Sequence, residues 1–326
     1  MNQSETVFLR NSAIIVGISF FLSQMVFSNF IFTVPLLVLA PKFSKGEKAL
    51  VPVGAVAFLL LASELFKSRE ALGNPVGRTL LLIGLFIPVV LLVSCSIWIL
   101  LERERLLVRY LASTSFGVVA SLILVIWFSM GSETILDVDA TMLKTFQVLF
   151  GQLENSGIES SLSPAVISSK DTEWLYRMVV KLSGAVLVPF CMGLSGFASF
   201  ASLGIMLKRE GTFGKRISLW RVPELTLWVF LGSWTVVLLT VLLKTGYLPR
   251  ALSLNIALGS SVLYAIQGIA IVVHFMRRKS PTVNLGRLLS LLFLIAILLP
   301  GLNILVVFVL PLLGVTETWI VYRKNE

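Results

Sequence analysis

Charge is what this sequence has least of: Asp, Glu, Lys and Arg make up 13% of the chain, about half the share of a soluble domain. So thin a charged surface cannot wet a globule of 326 residues, which argues against a soluble nucleotide enzyme, a water-filled catalytic fold and a disordered scaffold alike. Histidine occurs once, as His274 beside Arg277 and Arg278, and reads as an interfacial side chain rather than a catalytic one without partners nearby. Cysteine occurs twice, and Cys95 and Cys191 both fall in apolar runs, so they read as packed thiols with no disulfide framework or metal site. No P-loop, zinc-protease, serine-elbow or dinucleotide fingerprint occurs, which weighs against enzyme function and implies no cofactor. A cleavable leader is not expected either, because Arg10 leads into an apolar run from Ala13 to Ala40 that is too long for a signal h-region.

What is abundant is apolar. Hydrophobic residues are 56% of the chain, and the 22 phenylalanines and 23 glycines lie mostly in long runs. A helix needs about 20 residues to cross roughly 30 Å of hydrocarbon. By that ruler the candidate spans are residues 12–33, 50–66, 79–101, 108–130, 179–206, 222–243, 254–276 and 287–312. Their apolar runs are continuous where barrel strands would alternate, so the fold class expected is all-α, a polytopic transmembrane helical bundle of about eight spans, with a range of seven to ten. The range comes from proline. Pro35 and Pro41 predict that the first helix bends or stops, leaving residues 34–48 at the interface or re-entering, and Pro300, Gly301 and Pro311 allow the last stretch to be a bent hairpin.

Three segments follow: a front half of four spans at 1–130, an acidic connector at 131–173, and a back half of four or five spans at 174–326, together one integral membrane domain. The connector carries Glu133, Asp137, Asp139, Glu154, Glu159, Asp171 and Glu173 against Lys144 and Lys170. Met142, Leu143, Phe146, Leu149 and Phe150 give it an apolar side, predicting an amphipathic helix, with loop at Ser160 to Ser169. The net charge of +10 sits in short connectors: Arg103 and Arg105; Lys208, Arg209, Lys215, Arg216 and Arg221; Arg277, Arg278, Lys279 and Arg287. This pattern anchors anionic headgroups and indicates no nucleic-acid partner. Alternating spans put these connectors on one side and the acidic connector on the other, so the positive-inside rule places the basic side in the cytoplasm of a bacterial cell membrane.

Polar groups inside apolar spans cost free energy unless they find a partner or face a cavity. Gln24 and Asn29 in the first run, Glu64 in the second, Asn255, Tyr264 and Gln267 in the seventh, and Asn303 in the last are therefore the candidate solute contacts. The plainer alternative for the amides is helix-to-helix hydrogen bonding, worth about 0.5–2 kcal/mol each. For Glu64 it is an interfacial ion pair with Lys67 or Arg69. Small residues at four-residue spacing, Ala257, Ser261 and Ala265 in the seventh run and Ser195 and Ser199 in the fifth, mark close-packing faces.

At Tyr264-Ala-Ile-Gln-Gly-Ile-Ala-Ile-Val272 the chain resembles the YybS-like group of uncharacterised bacterial integral membrane proteins. Trp220-Arg221-Val-Pro223 leading into a span, and the tail Pro311-Leu-Leu-Gly314-Val-Thr-Glu317-Thr-Trp319-Ile-Val-Tyr322-Arg323, add to the resemblance. Glu317 stands where that pattern has an aspartate. The matching positions are Trp220, Arg221, Pro223, Tyr264, Gln267, Gly268, Gly314, Glu317, Trp319 and Arg323, and the back half carries most of them. The group is distantly similar to the substrate-binding membrane components of energy-coupling-factor transporters. The resemblance thus implies a small solute held among helices, with membrane coupling and ATPase subunits as partners. Two functions are expected to compete: small-solute binding or transport, as a membrane component of a multiprotein transporter, and a non-catalytic membrane scaffold or assembly factor.

Overall fold

The computed structural model describes residues 3–25, 31–43, 46–155, 169–207, 212–279, 302–320 and 322–323. No strand occurs among them, and seven helices are long and apolar enough to cross a membrane. The chain is a multi-pass helical membrane protein. The expected eighth span at 287–312 lies mostly outside the described residues, as do the loop at 160–168 and Asn29.

The helices are α1 (Gln3–Gln24), α2 (Thr33–Phe43), α3 (Val51–Lys67), α4 (Pro75–Leu100), α5 (Leu106–Ser129) and α6 (Glu133–Asn155). There follow α7 (Ser169–Leu207), α8 (Phe213–Ser218), α9 (Leu225–Leu242), α10 (Tyr247–Lys279) and α11 (Leu302–Thr316). Local chemistry sets several boundaries. Asn74 caps α4 by accepting from the Val76 amide at 3.0 Å, with Pro75 at the first helical position. Beyond α5, Gly131 has a φ of 61°, a left-handed conformation that favours glycine and breaks the helix before α6.

The first apolar run is two helices. α1 ends at Gln24, and α2, with 11 residues, is about 16 Å long and too short to cross. The stretch expected to lie at the interface or to re-enter begins with a helix packed inside the bundle: Leu36, Leu37 and Ala40 of α2, with Phe32 before it, are at most 3% exposed. An apolar circumference explains why, since a helix without a polar face has nothing to offer the headgroup region.

Two long helices organise the rest. α7 has 39 residues and α10 has 33, and half or more of their spanning windows is buried, against 11% for α9. They form the axis, packed against each other and ringed by α2, α4, α5, α9 and α11. α9 presents Leu225, Trp228, Leu238 and Leu242, each at least 67% exposed, an outward surface suited to lipid. At one end of the axis Trp98, Tyr110, Phe200 and Trp220 meet edge-on or tilted, with centroids 5.5–6.2 Å apart. At the other end α6 lies on α4 and α7. It buries Ile135 and Val138, stacks Phe146 near Tyr176, and is tied by the Tyr176 hydroxyl donating to Asp139 Oδ1 at 2.7 Å.

Candidate functional site

Backbone hydrogen bonds must be made internally where water is absent, and α10 supplies two carboxamides that make them for its neighbours. The first is Asn255, which is fully buried. Its Oδ1 accepts from the Val188 amide at 2.8 Å, and its Nδ2 donates to the Gly184 carbonyl at 2.7 Å and to Ala251 O at 2.8 Å. Gly184 O is the acceptor that the Val188 amide would use in a regular helix. The carboxamide is therefore inserted into the ladder of α7, one residue before Pro189, whose missing N–H already leaves the Ala185 carbonyl without its usual donor. Tyr247 reinforces the junction by donating its hydroxyl to Lys181 O at 3.1 Å.

The second carboxamide is Gln267, 3% exposed. Its Oε1 accepts from the Val222 amide at 2.8 Å, and its Nε2 donates to Gly314 O at 3.1 Å and to Glu317 Oε2 at 3.0 Å. Val222 precedes Pro223, which biases it away from helix, so its amide has no helical acceptor and depends on this one. Arg323 completes the arrangement. It donates from Nε to Glu317 Oε1 at 2.6 Å, from Nη1 to Ser218 O at 2.6 Å, and from Nη2 to Trp220 O at 2.8 Å and Glu317 Oε2 at 2.5 Å. Arg221 reaches back from Nη2 to Arg323 O at 2.7 Å. The side chains of Arg323 and Glu317 are only 4% and 6% exposed. A planar guanidinium that saturates both a carboxylate and two loose carbonyls is the geometry that makes a buried charge tolerable.

Gly268 and Gly314 allow that closeness. A β-carbon on Gly268 would collide with the Leu310 carbonyl, and one on Gly314 with the Tyr264 carbonyl, so α10 and α11 touch backbone to backbone as small-residue contacts permit. Of the residues singled out from sequence, Gln267, Gly314, Glu317, Arg323, Arg221 and the Trp220 carbonyl thus share one hydrogen-bonded network, with Gly268 at its helix contact. Trp220 is 2% exposed and belongs to the interior, not to an interfacial belt, whereas Trp319 is 65% exposed. Pro223 is exposed and donates nothing. Tyr264 is fully buried against Phe230, its hydroxyl without a partner among the described residues. Asn303 belongs to α11, with its side chain outside the described residues.

Gln24 and Glu64 come together elsewhere. Lys67 donates to Gln24 Oε1 at 2.9 Å and to Glu64 Oε1 at 3.0 Å, joining the ends of α1 and α3. Beside them lies an open cavity of about 330 Å³ between α3 and α4, lined by Glu64, Lys67, Ser68, Ala71, Gly77, Leu80, Leu81 and Gly84. Its wall offers one cation, one anion and an apolar floor. The side chains of Lys67 and Glu64 are 54% and 36% exposed, so the pair is available to a ligand. Sequence reasoning reached Glu64 and Gln24 but treated Lys67 only as a pairing partner. It passed over Ser218, Val222, Gly184 and Val188, whose contribution is backbone and leaves no trace in side-chain chemistry beyond the nearby prolines.

Among the described residues no three His, Cys, Asp or Glu side chains gather as metal ligands. No protein-family model, curated protein or solved structure matches the chain.

Proposed function

We propose that this membrane protein binds a small polar solute bearing both a positive and a negative group, at the cavity between α3 and α4. The observation that carries the reading is Lys67, held between Gln24 and Glu64 on the wall of a cavity of about 330 Å³, near the lower end of ligand-pocket sizes. A solute carboxylate would meet the Lys67 ammonium and a solute ammonium the Glu64 carboxylate, with Leu80 and Leu81 against its apolar part. In the orientation favoured by the basic connectors, this cavity opens on the side away from the cytoplasm of a bacterial cell membrane. The resemblance of the back half to the YybS-like group supports the same reading. It adds a membrane coupling subunit and ATPases as the partners that supply energy, in keeping with the lack of a P-loop.

The test is thermal unfolding of the purified protein in detergent against a panel of amino acids, betaines and singly charged analogues. Stabilisation by a zwitterion, lost in Lys67→Met and Glu64→Gln, is expected. Because an exposed ion pair is worth about 0–1 kcal/mol, both variants unfold near the wild-type temperature when no solute is present. A panel without any effect, or stabilisation that survives Lys67→Met, overturns the reading.

The second reading, a scaffold or assembly factor, is favoured by Asn255 and Gln267, whose polar atoms all bond within the chain. It predicts a stoichiometric non-transport polypeptide in purifications from native membrane. Solute handling predicts a coupling or ATPase subunit, or a retained solute.

A further inference from the structure

At the aromatic end of the axis, Arg109 is 8% exposed, a depth at which a guanidinium is normally paired. Its Nε donates to Trp98 O at 2.7 Å, and its carbon lies 4.2 Å from the centroid of the Trp98 ring. These two contacts fix the guanidinium plane and place a cation on the last turn of α4, where the helix dipole favours one. They account for one N–H of five. Among the described residues no ion pair reaches Arg109, and no acceptor is bonded to its two Nη groups. Those atoms are also absent from the fully enclosed polar atoms without a partner, so their edge meets the surface. The charges that act on it are Glu102 and, against it, the exposed Arg216 of α8. An orientationally locked fork with unbonded Nη groups, and a second arginine within electrostatic range, is arranged for a tetrahedral oxyanion with several acceptor oxygens. Arg109 lies in the first turn of α5, next to the connector that carries the exposed Arg103 and Arg105, the kind of basic segment that sits at the headgroup level of a bilayer.

We propose that Arg109 and Arg216 bind a phosphate group at this boundary, Arg109 through its Nη edge and Arg216 as the exposed second cation. The site is separate from the α3–α4 cavity and does not depend on it. The phosphate comes from an anionic lipid headgroup or from soluble phosphate, and the experiment separates the two.

The protein is reconstituted in nanodiscs of phosphatidylcholine alone or with phosphatidylglycerol. Lipids retained on release are counted by native mass spectrometry, and unfolding is followed with and without inorganic phosphate. Wild type retains phosphatidylglycerol over phosphatidylcholine. Arg216→Gln, at an exposed position, unfolds normally but loses about fivefold of that preference. Arg109→Lys, which keeps the charge and loses the fork, loses roughly tenfold or more. Glu102→Gln, which removes the anion that acts on Arg109, raises it. Should inorganic phosphate stabilise the protein in phosphatidylcholine alone, in an Arg216-dependent way, the ligand is soluble phosphate; if only phosphatidylglycerol acts, it is the lipid. Equal retention across wild type and the arginine variants, with no response to phosphate, overturns the proposal. So does a Glu102→Gln protein that loses stability without gaining lipid, which would make Glu102 the internal partner of Arg109.

Discussion

Removing the carboxylate of Glu317 should unlock the tail. In Glu317→Ala, Arg323 loses both acceptors that carry negative charge and keeps only the Ser218 and Trp220 carbonyls, while its side chain stays 4% exposed. Leaving one partner of a buried pair uncompensated costs about 3–5 kcal/mol. Arg323→Ala leaves the carboxylate with Gln267 alone and should cost about as much. Glu317→Gln preserves shape and one acceptor, so its loss is that of a charge-assisted bond, about 2 kcal/mol. The Glu317→Ala, Arg323→Ala double variant strands no charge, and its cost should fall short of the sum of the singles by about 2–3 kcal/mol. Denaturation of the detergent-solubilised protein, followed by tryptophan fluorescence with Trp220 at the network, measures all four. Single variants costing under about 1 kcal/mol, or a strictly additive double variant, would refute the reasoning, because either would mean that the pair is solvated and not structural.

Other perturbations test the remaining contacts. Asn255→Leu should cost about 2–4 kcal/mol by stranding the Val188 amide and Gly184 carbonyl, and Pro189→Ala should recover part of it by letting α7 close its own ladder, as read by the same denaturation. Gly268→Ala forces a methyl into the Leu310 carbonyl and should destabilise by at least about 1–3 kcal/mol. Gly232→Ala meets open space on α9 and should be neutral or stabilising by up to about 1 kcal/mol. Tyr176→Phe removes the tie to Asp139, so peptides from α6 should take up deuterium faster while α7 is unchanged.

The helical membrane class was legible because long apolar runs with basic connectors allow little else. Proline marked the break in the first apolar run, which divides into α1 and α2 with Pro35 in the first turn of α2. A proline is tolerated in the first turn of a helix, and the stretch expected at the interface or re-entering holds a short helix buried in the bundle. Hydropathy could not make that distinction, because a helix sunk in protein and one facing lipid are equally apolar.

The candidate residues were legible one at a time but not as groups. Gln267 stood out as an amide in an apolar run, and Glu317 and Arg323 as part of a tail pattern. Nothing in their spacing says that the tail folds back onto residues 218–222, since that depends on where an irregular backbone needs partners. Pro223 is the one local signal, through its effect on Val222. The sequence offers Lys67 or Arg69 as the partner of Glu64, and Lys67 is the one that pairs; that it also reaches Gln24, in a separate span, at the cavity leaves no signal in the spacing.

The bracing role of α10 is tested most directly at the Val222 amide, whose acceptor is a side chain, Gln267 Oε1. Hydrogen–deuterium exchange of a peptide covering residues 219–224 should show slow exchange at this position in the wild type. In Gln267→Ala the same amide should exchange faster by orders of magnitude while α9 and the rest of α10 keep their protection. Equal exchange at Val222 in both proteins would mean that the carboxamide does not hold this backbone, and the bracing account would fail.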